Sequence, residues 1–349
     1  MKIYIRADGG YGIGMGHVMR MLVLAKQLKK KNEVTFLCKK DKSGIYDSGI
    51  EKIREFGFEV VELNSCDIIE NIIRIQNKNK ADLLITDSYD VDSEYFDKMK
   101  KIFPVSGYID DVNKCYMNVD FLVNQNINAK CLNYSETTPE YTELFLGTKY
   151  SMIRDEFKVC KSNNISEKGL VEDILLTLGG MDCNGNTLKV LCNIEKLMQK
   201  IHVVIGNAFD EQVKKDIYDY AQNHENIYLY ENANMAELMS KCDIAISACG
   251  STLYELCAMK VPAIGIILAD NQKESGMLMQ KEKLIFGVFN IESINNEDFY
   301  TSVEALINNK SIRDEIKENC NNVVNLCGSN ILSEAIEKII ESRSMRKYD

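Results

Sequence analysis

Short apolar runs rich in Ile and Val alternate with amphipathic stretches twice along this 349-residue chain. That rhythm restricts the fold to βα units on parallel sheets. In the first series Lys2–Ala7, Glu33–Cys38, Phe58–Val61, Leu83–Thr86, Val105–Ile109 and Phe121–Val123 read as strands. His17–Lys31 reads as a helix with Met21, Leu24, Ala25 and Leu28 on its apolar face. The rhythm restarts at Asp173–Leu178 and continues through His202–Ile205, Ile227–Leu229, Asp243–Ser247 and Val261–Ile267. Between the series, Asn124–Gly169 is poor in strand pattern and holds Pro139 and the polar run Lys161–Gly169, which puts a boundary near residues 155–170. The expectation is an α/β protein of two Rossmann-like domains, 1–155 and 156–349, with an interdomain cleft. The tail Ser302–Arg343 reads as two or three helices, one capped at Ser329 after Gly328, left able to pack back on the N-terminal domain. In open parallel sheets ligands bind at the carboxyl ends of strands, so the loops there carry the functional information.

Composition removes several classes of function. Lys plus Arg is 42 and Asp plus Glu 52, a net charge of −10 that repels phosphate backbones and argues against nucleic-acid binding. No apolar run approaches the ~20 residues of a membrane span. The N-terminus turns charged and Gly-rich too soon for a signal peptide. Twelve cysteines are scattered with no C-x-x-C pair, so few disulfides or zinc sites are expected and the chain reads as reduced and cytoplasmic.

After the first strand comes Asp8-Gly9-Gly10-Tyr11-Gly12-Ile13-Gly14-Met15-Gly16-His17-Val18-Met19-Arg20. Gly14, Gly16 and the other glycines let a ligand approach the backbone closely, and the next helix aims its free N–H groups at that space. The spelling is not Gly-x-Gly-x-x-Gly, and Cys38-Lys39-Lys40 supplies no acidic residue after the second strand, so a dinucleotide cofactor is not expected. His17 falls in the helix's first turn, where the positive helix end favours the neutral, base-competent imidazole. It is the leading acid–base candidate. His202 begins a strand and His224 lies in a polar loop, and both read as structural.

This opening motif, Arg6-Ala7-Asp8-Gly9-Gly10 followed by Ile13-Gly14-x-Gly16-His17-Val18-Met19-Arg20, resembles that of the UDP-2,4-diacetamido-2,4,6-trideoxy-β-L-altropyranose hydrolases of pseudaminic acid biosynthesis. Those enzymes are related to GT-B glycosyltransferases, and the likeness runs through both halves to about Gly287. The resemblance implies a GT-B arrangement, a UDP-sugar substrate, and metal-independent C–O cleavage with inversion. It places Gly14, Gly16, Arg20 and Tyr89 near the substrate. Met21 stands where cysteine is frequent in the family, and Met181 where a Gly-Gly-Ser-Asp type turn is usual.

In the second half, Leu178-Gly179-Gly180 closes the first strand, and its glycines permit close approach of a sugar or phosphate. Asp243–Glu255 reads as strand, small-residue turn and helix start. Exposed N–H groups of Gly250, Ser251 and Thr252 suit a diphosphate. Glu255, one turn further in, can accept both ribose hydroxyls, or act as a capping-box partner. The resemblance supports the first reading and adds main-chain contacts to uracil near Asn234–Met235. Asn271 and Gln272, in Ala269–Glu274, suit sugar hydroxyls and acetamido groups, with Asp270 equally able to cap the next helix. Asp87, and the pair Asp110 and Asp111, lie at strand exits; the pair can position His17 or cap a turn. Arg154 can bridge the cleft or form a surface ion pair. Asp90-Val91-Asp92 lies in the half opposite the diphosphate site, so no metal role is expected there. The expected function is hydrolysis of a UDP-linked diacetamido-trideoxy hexose to free sugar and UDP, with His17 as general base. A GT-B glycosyltransferase, a hydrolysing UDP-sugar 2-epimerase and a non-catalytic nucleotide-sugar sensor are the alternatives.

Overall fold

The computed structural model describes residues 1–159, 169–295 and 297–345. The chain divides into two compact units, Met1–Ile153 with Cys327–Asp349, and Arg154–Leu326. Most of the polar run expected at the boundary lies outside the described residues.

The first unit carries β1 (Lys2–Ala7), β2 (Glu33–Lys40), β3 (Glu59–Asn64), β4 (Leu83–Asp87), β5 (Val105–Ile109), β6 (Phe121–Asn124) and β7 (Glu143–Leu146) in one parallel sheet of order β3-β2-β1-β4-β5-β6-β7. Alternation along β1 divides the core into two layers. Ile3 and Ile5 pack with Val18, Met21, Leu22 and Ala25 of the helix Gly16–Leu28 on one face, while Tyr4 packs with Leu84, Phe96 and Tyr108 on the other. The helix Gly328–Met345 adds Leu332, Ile336 and Ile339 to the first layer. It is pinned by Glu337, which accepts from Lys31 Nζ at 2.8 Å and Asn32 Nδ2 at 3.2 Å, and by Arg343, 3.2 Å from Asp120.

The second unit carries β8 (Asp173–Thr177), β9 (Lys200–Ile205), β10 (Ile227–Glu231), β11 (Ile244–Ala248), β12 (Ala263–Ile267) and β13 (Gly287–Asn290), all parallel, in the order β10-β9-β8-β11-β12-β13. Each sheet starts near its middle, builds outward to one edge, then resumes on the other side of its first strand. The reversal falls between β1 and β4 in one unit and between β8 and β11 in the other. At such a switch point two loops diverge from adjacent strand ends and leave a crevice.

Two strands escape the apolar-run reading. β7 lies inside the segment read as poor in strand, and β13 ends its sheet; Glu143, Leu144 and Asn290 are exposed, as edge positions are. The tail forms three helices, Glu297–Asn308, Lys310–Asn319 and Gly328–Met345. Ser329 does not cap the last one: that helix already includes Gly328, and the Ser329 hydroxyl is buried without a partner. No helix among the described residues is long and apolar enough to cross a membrane.

Candidate functional site

Both switch points collect residues singled out in the sequence. In the first unit, the chain leaving β1 turns tightly over Gly10–Gly14, where the two glycines exchange backbone hydrogen bonds of 3.1 and 2.9 Å. Gly14 sits at φ +82°, a conformation that favours glycine. Gly16 then opens the helix and places His17 in its first turn, buried. The neighbouring strand β4 pairs with β1 in the register Ala7↔Asp87, so the carboxylate ending β4 emerges beside the loop that carries His17.

The contact is direct. His17 Nδ1 lies 2.5 Å from Asp87 Oδ1. A deprotonated Nδ1 at that distance would face a carboxylate oxygen with lone pair against lone pair, so the neutral ring carries its proton on Nδ1 and presents Nε2 as the acceptor. Arg20, one turn along the same helix, donates from Nε to Asp87 Oδ2 and from Nη2 to Asp87 Oδ1, both at 2.6 Å. Its Nη1 reaches both oxygens of Asp111, at 3.0 and 2.8 Å. Tyr89 donates to Asp111 Oδ2 at 2.8 Å and sets its ring edge-on to His17, with centroids 4.6 Å apart.

Burial pushes the Asp87 carboxyl up, but Arg20 and His17 together outweigh it and hold the group well below the usual carboxylate range. Burial likewise opposes the charge on Arg20, and Asp111 and Asp87 more than restore it. Burial followed by the Asp111 charge raises the Tyr89 phenol, which therefore stays a donor.

The remaining acidic candidates divide cleanly. Asp110 caps a turn, accepting from Asn113 N at 2.7 Å and from Tyr134 Oη at 2.6 Å. Asp111 holds Arg20 and Tyr89, so neither of the pair is the group on His17. Asp90 is engaged by Arg6 at 2.6 Å, by Lys39 and by Ser88, while Asp92 caps the helix Ser93–Ile102 by accepting from Tyr95 N at 2.9 Å. His202 bonds Asp173 and Tyr230, and His224 bonds the Tyr220 carbonyl, as structural histidines do. The role of Asp87 on His17 is the feature least visible in the sequence. Its signal is a carboxylate ending the strand that follows the chain reversal.

In the second unit, β8 exits into Gly179-Gly180, and a side chain on the facing Gly206 would meet the Gly180 backbone at 2.4 Å. That approach accounts for Gly206, whereas Gly179 lies in open space at φ +105°, a backbone conformation that favours glycine. Asp182 beyond it accepts from the Asn186 and Thr187 amides, at 2.9 and 2.7 Å, and starts the helix Asn186–Asn193. Next to β8, strand β11 runs through Cys249 into Gly250, and the helix Ser251–Met259 begins with no side chain capping it. Its first N–H groups, from Ser251 and Thr252, are the unbonded donors of any helix start. Gln272, from the exit of the adjacent β12, fixes Leu268 N through Oε1 at 2.9 Å, and its Nε2 comes within 3.9 Å of where a Cβ on Gly250 would sit. Asn271 shares the short turn Asp270–Gln272. Met235 starts the helix Met235–Lys241 with its side chain buried, which leaves its main chain as the part able to meet a ligand.

Glu255 is buried in the second turn of the Ser251–Met259 helix. It does not cap that helix. Both its oxygens are held by Arg154, Nε to Oε1 at 2.8 Å and Nη2 to Oε2 at 2.9 Å, so a half-buried Arg154 forms a fork-to-fork pair with the buried carboxylate.

Comparison with known proteins agrees with this architecture. Residues 184–283 match the glycosyltransferase family 28 C-terminal domain. The chain is 29% identical to the UDP-2,4-diacetamido-2,4,6-trideoxy-beta-L-altropyranose hydrolase of Campylobacter jejuni, over 81% of this chain and 97% of that protein. It is 32% identical to an uncharacterized protein of Methanocaldococcus jannaschii over 78% of its own length, and spans 57% of that relative. The crystal structure of Acinetobacter baumannii MurG aligns with a TM-score of 0.67 at 14% identity, covering 97% of this chain and 99% of that one. The resemblance carried by the opening motif is thereby borne out, and so is the fold: two parallel-sheet α/β units of the GT-B class.

Proposed function

We propose that this chain is an enzyme that hydrolyses a UDP-linked 2,4-diacetamido-2,4,6-trideoxy hexose to the free sugar and UDP. The observation that carries the reading is the His17–Asp87 pair at the first switch point, an imidazole oriented with Nε2 as acceptor. A water oxygen attacks the anomeric carbon, its proton passes to Nε2, and the bond from that carbon to the diphosphate oxygen breaks with inversion. The electron pair leaves with UDP, which needs little further help because a diphosphate is a good leaving group. Asp87 stabilises the imidazolium as it forms. Arg20 is assigned to bracing Asp87 and Asp111, and Tyr89 to the sugar side of the ring.

The second unit is assigned to UDP. The Gly250–Thr252 helix start meets the diphosphate, Glu255 the ribose, and the main chain at Met235 the uracil. Asn271 and Gln272 are assigned to the acetamido sugar, with Gly14, Gly16, Gly179 and Gly180 permitting its approach. The match to a glycosyltransferase domain favours one rival, sugar transfer to an acceptor. Incubation with the UDP-sugar alone, followed by NMR, separates the two. Free sugar and UDP appearing together without acceptor are expected. A UDP-sugar that stays intact until an acceptor is added would overturn the hydrolase reading.

A further inference from the structure

We infer that Arg154 is a positioning residue for Glu255: its guanidinium fixes the plane of that carboxylate so that the lone pairs left over meet two vicinal hydroxyls of a ribose. This rests on the ribose role assigned to Glu255 above. A carboxylate offers about four lone-pair sites, and Arg154 takes one on each oxygen, leaving one on each. Two acceptors a carboxylate's width apart suit a cis-diol, whereas a rotating carboxylate would present them only part of the time.

The clamp is itself held. Arg154 Nη1 lies 3.0 Å from Glu156 Oε1 as an ion pair without hydrogen-bond geometry, and the guanidinium sits over the Phe157 ring at 5.0 Å, so charge and ring both favour its place. A buried carboxylate also needs a counter-charge, which an Arg supplies without titrating. Burial opposes the Arg154 charge and Glu255 more than restores it, so the cation persists.

The test compares dissociation constants for UDP and 2′-deoxy-UDP by calorimetry in the wild type, E255Q, R154M and R154K, each checked for a wild-type circular dichroism spectrum. The wild type is expected to prefer UDP by about tenfold or more, the range of a hydrogen bond to a charged group. E255Q and R154M should both bring the preference close to unity. R154K should fall between, because an ammonium restores the charge but not the planar fork. A general loss of packing would weaken both ligands alike and leave the ratio unchanged. If E255Q loses the preference while R154M keeps it, Arg154 has no positioning role and the ribose assignment stands. If E255Q keeps it, the ribose assignment fails and takes the inference with it. Should R154M not fold, R154K decides alone, since full wild-type preference in that variant would refute the clamp.

Discussion

His17 Nδ1 donates to Asp87 Oδ1 across 2.5 Å, so an imidazole in the first turn of one helix is aimed by a carboxylate 70 positions further along the chain. Replacing His17 by Asn should lower turnover ~10²–10⁴-fold, the range of a lost general base. Asp87→Asn, which can hold the opposite tautomer, should cost a comparable factor. The double variant should be no worse than His17→Asn, because the two act as one unit. UDP release kinetics check all three, and near-additive losses would sink the pairing. UDP affinity, assigned to the other unit, should stay within about twofold in each variant.

The same carboxylate makes a prediction about stability. Its folded pKa lies below the ordinary 3.8, so between the two values the unfolded chain binds more protons than the folded one. The contribution is therefore complete above the ordinary value and disappears as pH falls through the folded value. Each tenfold change in proton affinity corresponds to about 1.4 kcal/mol. Melting temperatures recorded from pH 7 down to pH 2 should fall less steeply for Asp87→Asn than for the wild type. Parallel curves would show that Asp87 is not the depressed group.

Much of this organisation is legible in the residues themselves. Ile and Val runs give eleven of the thirteen strands among the described residues, because the central strands, covered on both faces, are apolar throughout and two of the edge strands keep an apolar run. Glu143–Leu146 and Gly287–Asn290 are not legible, being four-residue edge strands in which only Phe145 and Gly287 are buried, whereas the longer edge strands Glu59–Asn64 and Ile227–Glu231 still show an apolar run. His17 and Glu255 are visible because the strand-to-helix loops and the helix starts that follow them have a local spelling. Their partners are not. Asp87 and Arg154 reach their contacts over sequence separations of 70 and 101 residues, through strand order and helix placement that no short window contains. The β1–β4 reversal is what would have pointed to Asp87, and nothing equivalent marks Arg154.

Two glycines of the first loop separate folding from function. Gly14 has φ +82° with open space around it, so Gly14→Ala meets no clash and pays only the left-handed backbone cost of ~1–2 kcal/mol. Gly16 has open space and no such backbone conformation, and it begins the helix. Gly16→Ala should change stability by less than ~0.5 kcal/mol, or raise it slightly. Urea unfolding measures both. If Gly16 leaves room for substrate, Gly16→Ala should raise KM severalfold at unchanged stability, and an unchanged KM would reduce that glycine to a turn residue.

Ser251 permits a change whose effects on stability and binding have opposite signs. It is exposed at the first position of the Ser251–Met259 helix, where no side chain satisfies the free N–H groups. A carboxylate there interacts favourably with the positive helix end, by about 0.3–1 kcal/mol at a surface site. The same charge repels a diphosphate and competes for its donors. Ser251→Asp should therefore unfold at a slightly higher urea concentration than the wild type and bind UDP at least ~10-fold more weakly. Uridine, which lacks the phosphates, should bind both proteins alike. A variant that gains stability yet keeps its UDP affinity would show that this helix start is an ordinary turn and that the diphosphate lies elsewhere.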